Sequence, residues 1–249
     1  SVSMHARTRF GKDVLADAGG MTLPNTGMLM PLPEDYEDTD ITGLLVNQYF
    51  PLGEKHLGLL SLGKIDVLDA VTLFFPHVGY GQEGFWNVNA LVSALPWFGA
   101  VRGLSLYGGW LATINKEQNI GQSAILVTGT ENVTTNTMGD ISDSFDDVWV
   151  AAFHRFLYTV DNKPGYFMIF GGFSTRDQTS LDPNDFVFKP GQGIESTEDK
   201  KPWNIALYLN QVLWQAEGDP SRKTTLLIGG TAGPDNPQFA QYNALAAVE

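Results

Sequence analysis

Apolar and polar positions alternate along this chain in short runs, and wherever the alternation is regular its period is two. In Trp203–Leu213, Trp203, Ile205, Leu207, Leu209 and Leu213 fall on one side, broken only by Gln211; Asn204, Ala206, Tyr208, Asn210 and Val212 fall on the other. Successive side chains of a strand point to opposite faces, so the segment predicts a strand with one oily face and one hydrogen-bonding face. Ala216–Arg222, AEGDPSR, is full of turn formers, and Lys223–Ala232 follows as a second β-rich run. Ser1–Phe10 alternates as cleanly, with Val2, Met4, Ala6, Thr8 and Phe10 against Ser3, His5, Arg7 and Arg9. In Arg102–Thr113, Leu104, Leu106, Trp110 and Ala112 oppose Ser105, Tyr107 and Thr113. Further strands are predicted over Ile41–Leu52, Leu57–Asp66, Gln122–Thr130, Asp147–Val160, Gly165–Arg176 and Phe239–Val248. In 147–160 and 165–176 both faces are apolar, so alternation does not say which face is inside.

That makes about ten strands and no helix. The connections between them carry the more specific message. They run long (11–40), short (53–56), long (67–101), short (114–121), long (131–146), short (161–164), long (177–202), short (216–222). Outer-membrane barrels keep this habit, with long extracellular loops and short periplasmic turns, and a soluble sandwich has no reason to. Gly233–Gln238 departs from it by being short. Charge placement agrees: strands 102–113, 122–130 and 203–215 hold only Arg102, at an end, while acidic residues gather in 34–40, 140–147 and 195–200. Two arginines on the inner face of a soluble core would cost several kcal/mol unless paired, whereas lining water they cost little. The expected fold is therefore all-β, an antiparallel transmembrane β-barrel in a single domain over 1–249.

Two stretches carry a family resemblance. NQVLWQAEGDPSRKTTLLIGGTAGPDNPQ, residues 210–238, resembles the late-barrel segment of the OprB-like carbohydrate-selective porins: a Q-x-L-aromatic strand, a D-P turn, a strand rich in glycine and small residues, then an N-P loop. LLSLGKIDVLD, Leu59–Asp69, resembles the family strand that ends in Gly-Lys. The resemblance implies a bacterial outer-membrane porin whose narrow lumen of charged and aromatic groups favours sugars. It also implies a barrel of roughly sixteen strands, of which this chain shows part. Many such barrels end in an aromatic residue read by the barrel-assembly machinery; this chain ends in AAVE, so a missing C-terminal portion is expected.

Composition narrows the alternatives. Only 17% of residues are charged, against about 25% in a typical soluble domain. No run of about 18 uncharged apolar residues exists, which excludes a helical membrane protein and leaves a barrel open. A net charge of −13 argues against nucleic-acid partners. The absence of cysteine removes thiol catalysis, disulfides and Cys-ligated metals.

Candidate pore-lining and sugar-binding residues are Arg7, Arg9, Lys64, Tyr107, Arg155, Arg176, Tyr208 and Asn210. Aromatic faces suit the C–H faces of pyranose rings, and charged and amide groups bond hydroxyls; the plainer role is an interior polar network. No catalytic residue, cofactor or metal is expected. Glu34–Asp40 lacks the spacing of a calcium loop, Asp143, Asp146 and Asp147 read as a solvated loop rather than glycosidase carboxylates, and His5, His56, His77 and His154 show no ligand spacing. The six tryptophans suit interfacial girdles or core packing equally. The expected partners are mono- or oligosaccharides, outer-membrane lipid and lipopolysaccharide, and the assembly machinery. The rival reading is a soluble or secreted β-rich carbohydrate-binding module. Sugar identity and oligomeric state are not legible.

Overall fold

The structure, a computed structural model, describes residues 1–8, 39–66, 105–131, 145–180, 182–191, 193–196, 199–234 and 241–248. All ten expected strands are present. They are β1 (Val2–Thr8), β2 (Thr39–Leu52), β3 (His56–Asp66), β4 (Ser105–Asn115), β5 (Ile120–Gly129), β6 (Val148–Val160), β7 (Lys163–Ser174), β12 (Trp203–Ala216), β13 (Asp219–Ala232) and β14 (Tyr242–Val248). Between β7 and β12 four short strands form two small ladders: β8 (Gln178–Thr179) with β11 (Asp199–Lys200), and β9 (Phe186–Lys189) with β10 (Gly193–Ser196). A single 3₁₀ turn, Pro183–Asp185, is capped by the Asp182 side chain. The connection 177–202, expected as plain loop, thus carries structure of its own. Among the described residues there is no α-helix.

The long strands follow one another in the hydrogen-bonded order β1-β2-β3-β4-β5-β6-β7-β12-β13-β14, and the registers recorded between neighbours are antiparallel. Every neighbour in the sheet is thus a neighbour in the sequence of long strands, as in an up-and-down meander. The expectation of a closed barrel is not met: among the described residues the order starts at β1 and ends at β14 without a pairing between them. The chain divides into two compact units, Ser1–Leu91 with Val101–Val148, and Val92–Ala100 with Trp149–Glu249.

The tight turns fix the registers. Asp161 and Asn162 both adopt positive φ (48° and 59°), the conformation of a two-residue hairpin whose twist matches its strands, and they set Val160 opposite Lys163. Gly218 (φ 79°) closes the β12–β13 hairpin. The turn is tighter than AEGDPSR suggested, because Pro220 sits at the start of β13, where the pairing skips from Asp219 to Lys223 and no ladder donor is required. At the β2–β3 and β4–β5 turns, Lys55 Nζ lies 3.2 Å from Glu117 Oε1, and Lys116 Nζ donates to the main-chain oxygens of Gly53 and Glu54 at 3.3 and 3.2 Å.

Within each unit the sheet has a covered and an open face. In the first unit the covered row of β3–β5 includes Leu59, Ser61 and Ile65, then Leu106, Trp110 and Ala112, then Ala124, Leu126 and Thr128, while Leu60, Leu62, Leu111, Ile125 and Val127 are open. Ser61 Oγ donates to Asn47 Oδ1 at 2.5 Å across the covered side. In the second unit Trp149, Ala151, Phe153 and Arg155 are covered, as are Tyr166, Met168 and Phe170, and Asn204, Ala206, Tyr208, Asn210 and Val212. The strands whose faces sequence left ambiguous are thereby assigned.

Candidate functional site

On the covered face of the second unit, β6, β7, β12 and β13 bring four cross-strand rows together. Arg155 lies opposite Met168, Met168 opposite Tyr208 and Tyr208 opposite Gly229. On one side of this row run Phe153, Phe170 and Ala206; on the other run Leu157, Tyr166 and Asn210. One row beyond Phe153 stand Ala151, Gly172 and Asn204. Alternation in the sequence is what collects these residues, since each row takes every second position of its strand.

Arg155 is the centre of this patch. Its side chain is fully buried (0% exposed). The guanidinium carbon sits 4.4 Å from the Phe153 ring centroid and 5.1 Å from that of Tyr166. Both distances fall within cation–π range, and such contacts strengthen when desolvated. A guanidinium is charged and presents a planar set of donors.

Glycines let the larger groups approach the sheet. The Tyr208 ring lies over Gly229, where a methyl group would collide with it. A Cβ at Gly172 would sit 3.2 Å from Asn204 Oδ1 and 3.3 Å from Trp149 Nε1, so both side chains close in on the bare backbone there. Tyr158 Oη donates to the main-chain oxygen of Asn210 at 3.4 Å. Asn204 Nδ2 is buried and makes no hydrogen bond within the protein. In the first unit the same holds for Trp110 Nε1 and the hydroxyls of Thr128 and Thr130.

The structure therefore brings together three of the expected residues, Arg155, Tyr208 and Asn210. Two others fall elsewhere. Lys64 and Tyr107 face each other across β3 and β4, in the row that continues from Leu60–Leu111 and Leu62–Gly109. By alternation this is the open side rather than the side of Ser61 and Trp110, although both residues are nearly buried (4% and 8% exposed) near the long-connection end of their strands. Their polarity suggested an inner position, and both are buried, although the register continues the row of Leu60 and Leu111. Asp66 continues that row and accepts a hydrogen bond from Thr42 Oγ1 at 3.0 Å. Arg176 lies beyond the end of β7, half-buried, with its main-chain N–H donating to Ser174 Oγ at 3.2 Å. Arg7 belongs to β1, in register with Asp40, but its side chain, like the whole of Arg9, lies outside the described residues, as do the acidic run 34–38 and His77.

Sequence reasoning missed Trp149, Asn204 and Phe153 as members of the patch. Asn204 was readable, since it shares the even row with Tyr208 and Asn210. Trp149 and Phe153 were not, because both faces of their strand are apolar. Among the described residues no group of three His, Cys, Asp or Glu side chains could hold a metal ion, and no helix is long and apolar enough to cross a membrane, which says nothing of strands.

Set against known proteins, the chain matches no protein-family model, no curated protein and no solved structure.

Proposed function

We propose that this chain forms part of an outer-membrane β-barrel porin that lets sugars diffuse passively across the bacterial outer membrane. One observation carries the reading: along the middle of its long strands the open face of the second unit is apolar and uncharged. Away from the strand ends the open row of the second unit reads Val150, Ala152, His154 and Phe156; Phe167, Ile169 and Phe173; Trp203, Ile205, Leu207 and Leu209; Leu226, Ile228 and Ala232; and Tyr242, Ala244, Ala246 and Val248. None is Asp, Glu, Lys or Arg. The charge of Arg155 and the amides of Asn204 and Asn210 are on the covered face instead. Water rewards the opposite arrangement, and lipid rewards this one. Strands of 10 to 14 residues (β2–β7, β12 and β13) also match the roughly 9–11 needed to cross a bilayer.

Arg155, Phe153, Tyr166, Tyr208 and Asn210, all buried in this structure, are the mixture of cation, ring faces and amide with which a lumen opening onto the covered face would bind polyols weakly. Weak binding is what a selective channel needs, because a site that holds tightly does not release. The mechanism involves no covalent step.

The test is solute flux into liposomes carrying the refolded protein, comparing glucose with an amino acid of similar size. Preferential, saturable sugar flux supports the proposal. Equal flux of both keeps the channel and removes the selectivity. A protein that stays folded and soluble without detergent and conducts nothing leaves the carbohydrate-binding module.

A further inference from the structure

The open face of the first unit is not flat. Between β3, β4 and β5 lies a shallow depression of about 570 Å³, walled by Leu60, Leu62, Leu111, Ile125, Val127 and Phe145. Its floor is glycine: Gly109, opposite Leu62, leaves the open row without a side chain, and the backbone of the neighbouring Gly63–Gly108 pair borders it. A methyl group on Gly108 would strike the main chain of Val127 and Thr128, and one on Gly109 the oxygen of Ser61. Gly63 has φ +142°, which L residues rarely adopt. The floor is therefore held low by the backbone. The walls stand high, with Leu62, Leu111 and Ile125 53%, 50% and 55% exposed.

We infer that this depression seats one acyl chain of lipopolysaccharide in the outer leaflet. The inference rests on the porin reading. Three features select this occupant. The walls are apolar and include no charge, which fits a hydrocarbon tail rather than a head group. The depression runs from mid-strand, at Leu60, Leu111 and Ile125, to the end where the long connections begin, at Gly63, Tyr107 and Phe145. From Leu111 to Tyr107 is about 13 Å along a strand, roughly 10 Å of height at a tilt of about 40° and about two fifths of a barrel's apolar band of about 25 Å. With the long connections outside the cell, that part lies in the outer leaflet. Its area excludes the other obvious occupant, a second copy: about 13 Å by about 10 Å across three strands is far below the roughly 800 Å² per partner of a stable interface.

The experiment uses the full protein refolded into bilayers of phospholipid with and without lipopolysaccharide, then extracted mildly and weighed intact by native mass spectrometry. Leu111→Trp and Ile125→Trp fill the depression; Ile228→Trp, on the open face of the other unit, fills nothing and is the control. The wild type and the control are expected to retain lipopolysaccharide, and the filled variants to retain about ten-fold less, the equivalent of losing contact with about two methylenes. Equal retention by all four proteins overturns the inference, as does retention of phospholipid instead, or a dimer mass that vanishes in the filled variants. Should a tryptophan variant fail to fold, Leu62→Ala and Leu111→Ala strip the walls and carry the same expectation. Heat-modifiable gel migration separates the two levels. A protein that never inserts counts against the porin reading itself. An inserted, conducting protein with unaltered lipid retention counts against the acyl-chain seat alone.

Discussion

Leu207→Arg separates a membrane-facing sheet from a water-facing one by magnitude. Leu207 is open, 47% exposed, and flanked across the ladders by Ile169 and Gly230. It lies four residues into β12 from Trp203, about 13 Å along the strand. With strands tilted about 40°, that is roughly 10 Å of height in an apolar band about 25 Å tall. The arginine would therefore sit near the bilayer midplane, where such a substitution costs about 2–4 kcal/mol. On a water-facing surface the same change stays within about 0.5 kcal/mol. The control is Trp203→Arg at the strand end, expected to cost about 0–1 kcal/mol in lipid. The assay is urea titration of folding in phospholipid vesicles, read by gel migration and tryptophan fluorescence. A cost below about 0.5 kcal/mol for Leu207→Arg, or equal costs at both positions, would refute the assignment of this face to lipid.

Three further outcomes are expected. Arg155→Met should leave the protein folded, because replacing a buried charge by an apolar group of similar volume is often neutral, while abolishing the saturable part of sugar flux; retained saturation would remove Arg155 from the site. Gly229→Ala should destabilise by about 1–3 kcal/mol through overpacking against the Tyr208 ring, and Tyr208→Leu in the same chain should recover most of the loss, as denaturant midpoints would show. Asn162→Val forces a β-branched residue into a left-handed turn position and should cost about 1–2 kcal/mol, whereas Asn162→Gly should be near neutral in the same titration.

The strands were legible because a period of two survives in any sequence whose two faces meet different surroundings. The turns were legible because Gly53, Asp161-Asn162 and Gly218 are residues that tolerate positive φ. Less legible was the choice of face where chemistry was sparse. Lys64 and Tyr107 are buried, yet the register through Gly63 and Gly108 sets them in the row of Leu60 and Leu111, so row and burial part company near the long-connection end. A single polar side chain near a strand end is weak evidence of orientation, since it is judged without its cross-strand partner. In β6 and β7 the opposite problem arose: Trp149 and Phe153 are as apolar as Val150 and Phe156, so only pairing could tell them apart. Of the aromatic–glycine meetings, Phe50 over Gly58 and Tyr158 over Gly165 span predicted short hairpins and need only the register, whereas Tyr208 over Gly229 joins residues too far apart for a local pattern to announce.

The two neighbouring turns at 53–55 and 116–119 have a bearing on how the chain would reach its place. Their charged residues, Glu54, Lys55, Lys116 and Glu117, sum to zero, and the Lys55–Glu117 bridge with the two Lys116 hydrogen bonds ties one turn to the other. With the pair 69% and 63% exposed, the bridge adds little to the stability of the finished fold. Under the proposed orientation these tips stay on the periplasmic side, from which the chain arrives, and the long connections are the part that crosses the hydrocarbon. Tips that never leave water keep their four charges without a desolvation cost, and tied to one another they hold the two hairpins together on the near side while the far side is carried across.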